Sequence, residues 1–197
     1  MSRFKLLAAS PRRALAALAT VLVAVGLTAA SGANFNAQSA NPNNTFTAGT
    51  LSMFNSKDNA AILTATNMRP GDPVPATGTV DIANTGSLSA PFVLSKGSVT
   101  NTDGTNPMAD KLNLTVTDCG TFSGTPATAP SCDVTDPTVY AGTVTQMGTT
   151  GHAVAPLGTF AAGEKHRYKF DVALDSSADD NYQGDSATAQ FLWNATS

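Results

Sequence analysis

Alternation of apolar and polar residues constrains the fold of this chain more than any other feature. Along residues 168–174 every second side chain is large and apolar, and the side chains between them are charged or small. Residues 187–193 repeat the pattern and end at Trp193. Successive side chains of a β-strand point to opposite faces, so we predict that both segments are core strands with one buried face.

Weaker alternation predicts further strands, which are separated by turn sequences. Charged residues make up only 13% of the chain, which argues against a helical bundle. We predict an all-β fold, a single jelly-roll or Greek-key β-sandwich of about eight or nine strands with at most short helical turns. The helical turns are expected near residues 108–112 and 178–182, and surface loops at 120–131 and 147–155. The predicted strands lie near residues 47–54, 61–66, 79–83, 90–94, 112–117, 139–144, 168–174 and 187–193.

The first 33 residues have the layout of a secretory signal peptide. Basic residues up to Arg13 precede an uncharged apolar run, 14–27, and small residues follow as far as Ala33. This run has 14 residues, fewer than the roughly 20 of a membrane-spanning helix, so a retained anchor is the less favoured alternative. We predict cleavage before Asn34 and a secreted protein of the extracellular matrix or cell surface, which meets the membrane only through its leader.

The mature chain is predicted to be one domain preceded by a short segment. Removing 33 residues from 197 leaves 164, enough for one hydrophobic core. We divide the chain into the signal peptide (1–33), an N-terminal segment (34–45) and the β-sandwich domain (46–197). Without the leader, seven basic residues face fourteen acidic ones, a net charge of about −7. This charge argues against nucleic acid as a partner.

The chain contains two cysteines, Cys119 and Cys132, which are 13 residues apart. In an exported protein such an isolated pair predicts one disulfide that closes a loop. A zinc or redox role is disfavoured, because neither cysteine belongs to a CxxC motif or lies among further ligands.

The sequence contains no recognisable catalytic motif. It has neither an HExxH helix nor a GxSxG turn. Its two histidines, His152 and His166, are 14 residues apart, and His166 stands at the entry to a predicted strand, where we expect a solvated side chain. Only one residue is a glutamate, and no pair of carboxylates stands out for acid–base chemistry. We therefore predict no catalytic residues and no enzymatic activity.

An acidic stretch near the C-terminus is the best, though weak, candidate for a metal site, because calcium binds several oxygen ligands from one loop. Counted from its second aspartate as the first ligand, positions five and twelve of a calcium loop are Gln183 and Gln190, and the required bidentate glutamate is missing. Aspartates that stabilise turns are the favoured interpretation, with a surface calcium ion as the alternative and no other cofactor. The residues are Asp175, Asp179, Asp180 and Asp185.

Five segments, in this order and spacing, resemble the TasA and camelysin family of exported bacterial proteins. The last of them, 168–195, contains a strand, the turn YQG and the closing FLWNA. The others are ANFN at 33–36, NTFTAGTL at 44–51, MRPGD at 68–72 and VDIANTGSL at 80–88.

The resemblance implies a jelly-roll domain with a signal peptide of the SipW type, deposited on the cell surface or in the biofilm matrix. Some relatives form fibres by donor-strand exchange, in which the N-terminal segment of one subunit completes a sheet of the next. In this chain the donor would begin with Asn34, Phe35, Asn36 and Ala37, with Phe35 as its anchor. The implied partner is a second copy of the chain or a sister matrix protein.

Two other functions stay open. The resemblance to camelysin implies a surface metalloprotease, but no zinc-ligand pattern matches here, so no catalytic residue can be carried over. A monomeric adhesin or carbohydrate-binding sandwich would stack a sugar on Trp193 or Tyr140. Trp193 lies on the apolar face of its predicted strand, which favours packing in the core.

Overall fold

The computed structural model of the protein describes residues 48–148 and 155–196. The predicted signal peptide (1–33), the candidate donor residues and His152 lie outside the described residues. The donor residues concerned are Asn34, Phe35, Asn36 and Ala37.

The described residues form eight strands in two antiparallel sheets, which confirms the all-β prediction. The jelly-roll connectivity stays a prediction. In chain order the strands are β1 (Met53–Asn55), β2 (Ala76–Asn84), β3 (Ala90–Asn101), β4 (Leu112–Thr121), β5 (Thr138–Thr143), β6 (Ala155–Phe160), β7 (Lys165–Leu174) and β8 (Ala187–Ala195). The larger sheet has the order β1-β2-β7-β4-β5, and the smaller has the order β6-β3-β8.

Helical structure in the described ranges consists of three single turns of 3-10 helix. Met108–Asp110 and Asp180–Tyr182 fall where helical turns were predicted, and Pro126–Thr128 lies in the predicted loop after β4. None of the three is long enough to cross a bilayer.

The central strand β7 organises the hydrophobic core, as its alternation predicts. Its four even-numbered residues from Tyr168 to Leu174 are buried, and β2 and β4 flank it on either side. Aromatic rings join the two sheets: Trp193 of β8 packs 5.2 Å from Tyr168, and Phe191 packs 5.0 Å from Phe170. The face of β7 that the sequence predicts to be buried is therefore the face that the opposite sheet covers.

β8 is an edge strand of the smaller sheet, and it contributes one buried face to the core as predicted. Only β3 pairs with it in the described structure. Its alternation is nevertheless correct, because Trp193 is buried, Phe191 is half-buried and Leu192 is 39% exposed. Alternation in the sequence indicates which face of a strand is buried. It does not indicate whether one or two strands pair with that strand.

The strand predicted at 61–66 is absent, and these residues have no regular secondary structure. Ile62 and Leu63 still pack against the core, where they cross β2 above Gly78. A side chain on Gly78 would overlap the carbonyl oxygen of Ile62, so the glycine permits this close approach. Asn67 then turns the chain with a φ of 54°. The apolar pattern reflected burial without strand pairing.

One predicted strand is shorter than expected, and one strand of the structure was not predicted. β1 covers three residues rather than most of 47–54. β6 was not predicted, because Pro156 and Gly158 are typical of a loop. An edge strand tolerates both: proline needs no ladder donor there, and Gly158 has a φ of +92°. Met147, at the start of the predicted loop 147–155, is also buried rather than at the surface.

Candidate functional site

The predicted disulfide is confirmed and closes a loop at the end of β4. Cys119 and Cys132 are bonded, with their Cα atoms 4.6 Å apart. The ladder between β4 and β7 is irregular between Asp118 and Thr121, where Gly120 adopts a φ of +95°. A β-bulge of this kind bends the strand and re-aims nearby side chains.

Three ionisable side chains meet beside this bulge. Nδ1 of His166 lies 2.9 Å from Oδ2 of Asp118, and Nε2 lies 3.1 Å from Oε1 of Glu164. Asp118 belongs to β4, His166 to β7, and Glu164 to the turn between β6 and β7. We call Asp118, Glu164 and His166 the histidine clamp, because two carboxylates hold one imidazole from both sides.

The prediction that His166 is a solvated residue at a strand edge was wrong. β7 is the central strand of its sheet, and the His166 side chain is only 14% exposed. It lies on the same face as Tyr168 and Phe170, so the alternation that predicted the strand contained the signal for its burial. No local pattern could identify Asp118 as its partner, since Asp118 is 48 residues away along the chain.

Backbone hydrogen bonds fix the turn that supplies Glu164. The backbone N–H of Asn84 donates to the carbonyl of Glu164 at 2.9 Å, and the N–H of Gly163 donates to the carbonyl of Asn84 at 2.9 Å. The side-chain amide of Asn84 donates to the carbonyl of Phe160 at 3.0 Å. Asn84 is fully buried, so it links the end of β2 to the turn and sets the position of the carboxylate.

Aromatic rings line the inner side of the histidine clamp. The ring of Phe160 stacks on Phe92 at 4.3 Å and on His166 at 4.4 Å. Tyr168 follows at 6.0 Å from the imidazole. Tyr168 is fully buried, and its hydroxyl has no hydrogen-bond partner among the described residues. The clamp is therefore open to solvent only on its outer side.

The electrostatics of the clamp favour a protonated histidine. Burial lowers the pKa of His166, but hydrogen bonds and charges from Asp118 and Glu164 outweigh it and raise the pKa above its ordinary value. The pKa of Glu164 is lowered, first by the backbone N–H of Ala161 and then by His166. Burial and the two nearby carboxylates raise the pKa of Tyr168. The clamp therefore favours the imidazolium over the neutral imidazole.

This arrangement differs from a catalytic triad in one essential respect. A triad histidine uses one nitrogen to accept a proton from a nucleophile and the other to contact a carboxylate. Carboxylates contact both nitrogens of His166, and no hydroxyl or thiol contacts either nitrogen among the described residues. The clamp is suited to joining three parts of the fold, and not to activating a nucleophile.

The described residues do not fit a zinc site. A catalytic zinc site has three protein ligands, such as thiolate, imidazole and carboxylate. Among the described residues one group of three places its ligand atoms within 4.8 Å of one another: Cys119, Cys132 and Asp136. Both sulfurs of that group form the disulfide, so neither is a thiolate.

The weak calcium candidates have separate turn-stabilising contacts. Asp175 accepts hydrogen bonds from Ser177 and Asn113, which hold its pKa at about 2. Asp179 caps the 3-10 helix Asp180–Tyr182, of which Asp180 is the first residue. Asp185 accepts a hydrogen bond from Thr102. Among the described residues, no three of these acids bring carboxylate oxygens within 4.8 Å of one another.

The two aromatic residues considered for sugar stacking are in the core. Trp193 is 8% exposed and Tyr140 is 6% exposed. The hydroxyl of Tyr140 donates to the carbonyl of Thr143 at 2.7 Å. Neither ring presents an open face for a carbohydrate, so the preference for core packing of Trp193 is confirmed.

A buried ion pair lies on the outer face of the larger sheet and was not predicted. Nε of Arg167 donates to Oδ1 of Asp81 at 2.7 Å, and a terminal nitrogen donates to Oδ2 at 2.9 Å. Asp81 is only 4% exposed, and the guanidinium lies 5.9 Å from the centre of the Phe122 ring. The pair joins β2 to β7 beneath the disulfide loop.

These features define an antiparallel β-sandwich domain with one disulfide, in which the polar side chains of the described site hold the fold together. The chain belongs to the camelysin family, because residues 12–117 match the family model described as camelysin metallo-endopeptidase. The family is exported or surface-associated. No curated protein matches the chain.

The matched segment contains no conventional nitrogen or sulfur ligand for zinc. Residues 12–117 include no histidine, no cysteine and no glutamate. The histidine clamp and the disulfide both lie beyond the match. Membership of the family therefore supports a surface protein without placing a metal-binding residue on this chain.

Proposed function

We propose that this protein is a non-enzymatic structural protein of the cell surface or biofilm matrix that assembles with copies of itself. In this proposal the leader is removed before Asn34, and residues 34–45 leave their own domain to add a strand to the next copy. The role requires no cofactor. A sister matrix protein that offers the same acceptor is the alternative partner.

The observation that carries the proposal is the open architecture of both sheets. Among the described residues, β1 and β5 end the larger sheet, and β6 and β8 end the smaller one. Unpaired strand edges are natural sites for the addition of another strand. A head-to-tail contact of this kind does not close on itself, so repetition produces a filament.

The test compares the mature chain from Asn34 with a variant that lacks residues 34–44. Size-exclusion chromatography and negative-stain electron microscopy are expected to show filaments for the first protein and monomers for the second. Both proteins should have nearly the same circular dichroism spectrum, because in this proposal the deleted residues bind the next copy and not their own domain. Two monomeric proteins would contradict the proposed self-assembly.

The peptidase alternative is supported by the family description. We expect the mature chain not to hydrolyse casein, with or without added zinc or a chelator. The control is a double variant, His152→Ala and His166→Ala, measured in parallel. Chelator-sensitive hydrolysis by the mature chain would establish the peptidase, and its survival in the double variant would place the metal on other residues.

A further inference from the structure

Residues 61–68 have the sequence of a strand but no strand partner. None of them makes a hydrogen bond to another described residue, through either the backbone or the side chain. Ala60 before them donates to Lys57, and Arg69 after them accepts from Asp72. Folded domains average about one hydrogen bond per residue, so an unpaired run of this length is exceptional.

Side chains nevertheless hold this segment in place. Ile62, Leu63 and Met68 are half-buried and pack against the hydrophobic core, whereas Thr64 and Thr66 are exposed. The segment therefore lies on the folded domain, and its backbone N–H and C=O groups have no hydrogen-bond partner among the described residues. These are the groups through which an added strand binds.

A cleft of about 310 Å³ lies along the same residues. Its volume is at the lower end of the range for ligand-binding clefts. Arg69 and Asp72 are its only charged lining residues. Uncharged lining residues include Thr64, Thr66, Met68, Val74, Pro75 and Leu174.

We propose that residues 62–66 are the acceptor for residues 34–45 of a neighbouring copy, with Phe35 entering the cleft. The inference rests on the proposed function and names the part of the domain that receives the strand. Asn67 limits the acceptor, because its φ of 54° turns the backbone away from strand geometry.

The chemistry and length of the N-terminal segment suit this acceptor. No side chain of residues 34–45 or 61–68 is charged, so their pairing buries no ionised side chain. An extended chain advances about 3.3 Å per residue, so residues 34–45 are longer than the acceptor and leave room for a connection. Phe35 is the one aromatic residue between Asn34 and Thr45, which makes it the natural occupant of the cleft.

The direct test uses a peptide of residues 34–45 and the variant that lacks residues 34–44. Amide hydrogen exchange is measured with and without saturating peptide. Exchange at residues 62–66 is expected to slow by about tenfold or more, since bonded amides must open before they exchange. Slowing at β1 or β8 without slowing at 62–66 would overturn the inference.

A matched pair of proline variants tests the backbone contact. Thr64→Pro removes one N–H of the acceptor, and we expect it to weaken peptide binding by about tenfold, as the loss of a hydrogen bond and a fixed φ would. Val134→Pro is the control, because Val134 is exposed and follows Asp133 in a turn position that favours proline. Equal binding by the two variants would contradict the inference.

The outcomes separate this inference from the proposed function. Filaments of the mature chain that persist with Thr64→Pro would leave self-assembly in place and reject this acceptor. The mature chain could instead be monomeric, with amides 62–66 already protected from exchange. This result would show that residues 34–45 bind their own domain, and both proposals would fail. If Thr64→Pro does not fold, as judged by thermal unfolding, the exchange experiment on the unsubstituted domain decides alone.

Discussion

His166 shows how one residue can join three parts of a β-sandwich. Its ring nitrogens contact Asp118 of β4 and Glu164 of the turn before β7, and its ring stacks on Phe160 of β6. The alternation along β7 predicts the inward direction of His166. The partners could not be predicted, because Asp118 is 48 residues from His166 along the chain and precedes an irregularity in the ladder between β4 and β7.

The histidine clamp makes stability depend on pH in a defined direction. The folded-state pKa of His166 is raised above its ordinary value, so protonation stabilises the folded state below about pH 6.5. This stabilisation is lost as pH rises through the folded-state pKa. Urea unfolding between pH 5.5 and 9 should therefore show a falling free energy of unfolding.

His166→Gln provides the control for this pH dependence. The variant retains a polar side chain but cannot titrate, so its free energy of unfolding should vary less over the same range. Glu164 does not interfere, because its pKa is lowered and its contribution is lost only at more acidic pH. An equal pH dependence in both proteins would assign the effect to another group.

The buried ion pair between Arg167 and Asp81 should contribute more to the free energy of unfolding than a second, more exposed ion pair on the same sheet. Asp81→Ala should lower the free energy of unfolding by about 3 kcal/mol, because it leaves a guanidinium without its bidentate partner. Lys169→Ala breaks the more exposed pair with Asp171, at 3.0 Å, and should cost less than about 1 kcal/mol. Chemical denaturation measures both, and similar costs would mean that burial of Asp81 is unimportant.

At the scale of elements, the bulge in β4 depends on the backbone of Gly120. We expect Gly120→Ala to destabilise the domain by about 1–2 kcal/mol, because its φ of +95° is unfavourable for a residue with a side chain. Space is not the cause, since no atom lies within 4 Å of the added carbon.

Gly104→Ala is the matched control for the bulge. Gly104 also has open space around it, but it does not have a positive φ. The substitution should be neutral or slightly stabilising, because alanine restricts the unfolded chain. Thermal unfolding of both variants distinguishes backbone strain from packing, and equal losses would rule out strain at Gly120.

The strands also show which elements can be predicted from local sequence patterns and which cannot. β2, β4 and β7 were predicted because each buries one face against the opposite sheet, which leaves a period of two in the sequence. Residues 61–66 have a similar pattern but pair with no strand among the described residues of their own domain, where only their side chains pack against the core. β6 lacks the pattern because Pro156 and Gly158 fit only at an edge. Sheet edges are thus the elements that local patterns describe least well.

At the scale of the whole molecule, the fold class followed from the sequence, whereas the histidine clamp did not. The fold depends on many short-range alternations that agree with one another. The clamp depends on contacts between residues far apart in the chain, such as Asn84 with Phe160.

The net charge of the mature chain predicts how assembly responds to salt. Copies cleaved as predicted each carry a charge of about −7 and repel one another, while the proposed donor and acceptor have no charged side chain. Filaments should therefore grow faster in 0.5 M than in about 0.01 M sodium chloride, because salt shortens the reach of that repulsion. Light scattering measures the growth, with the variant lacking 34–44 as control. Slower growth at high salt would show that attraction between charges drives assembly.

The position of Trp193 gives the molecule its own optical probe. It is the only tryptophan in the chain, and its ring lies between the sheets against Tyr168 and Phe170. Tryptophan fluorescence shifts to longer wavelength when the indole meets water. Emission therefore reports the separation of the two sheets directly, and it can be followed in dilute solution without any added label.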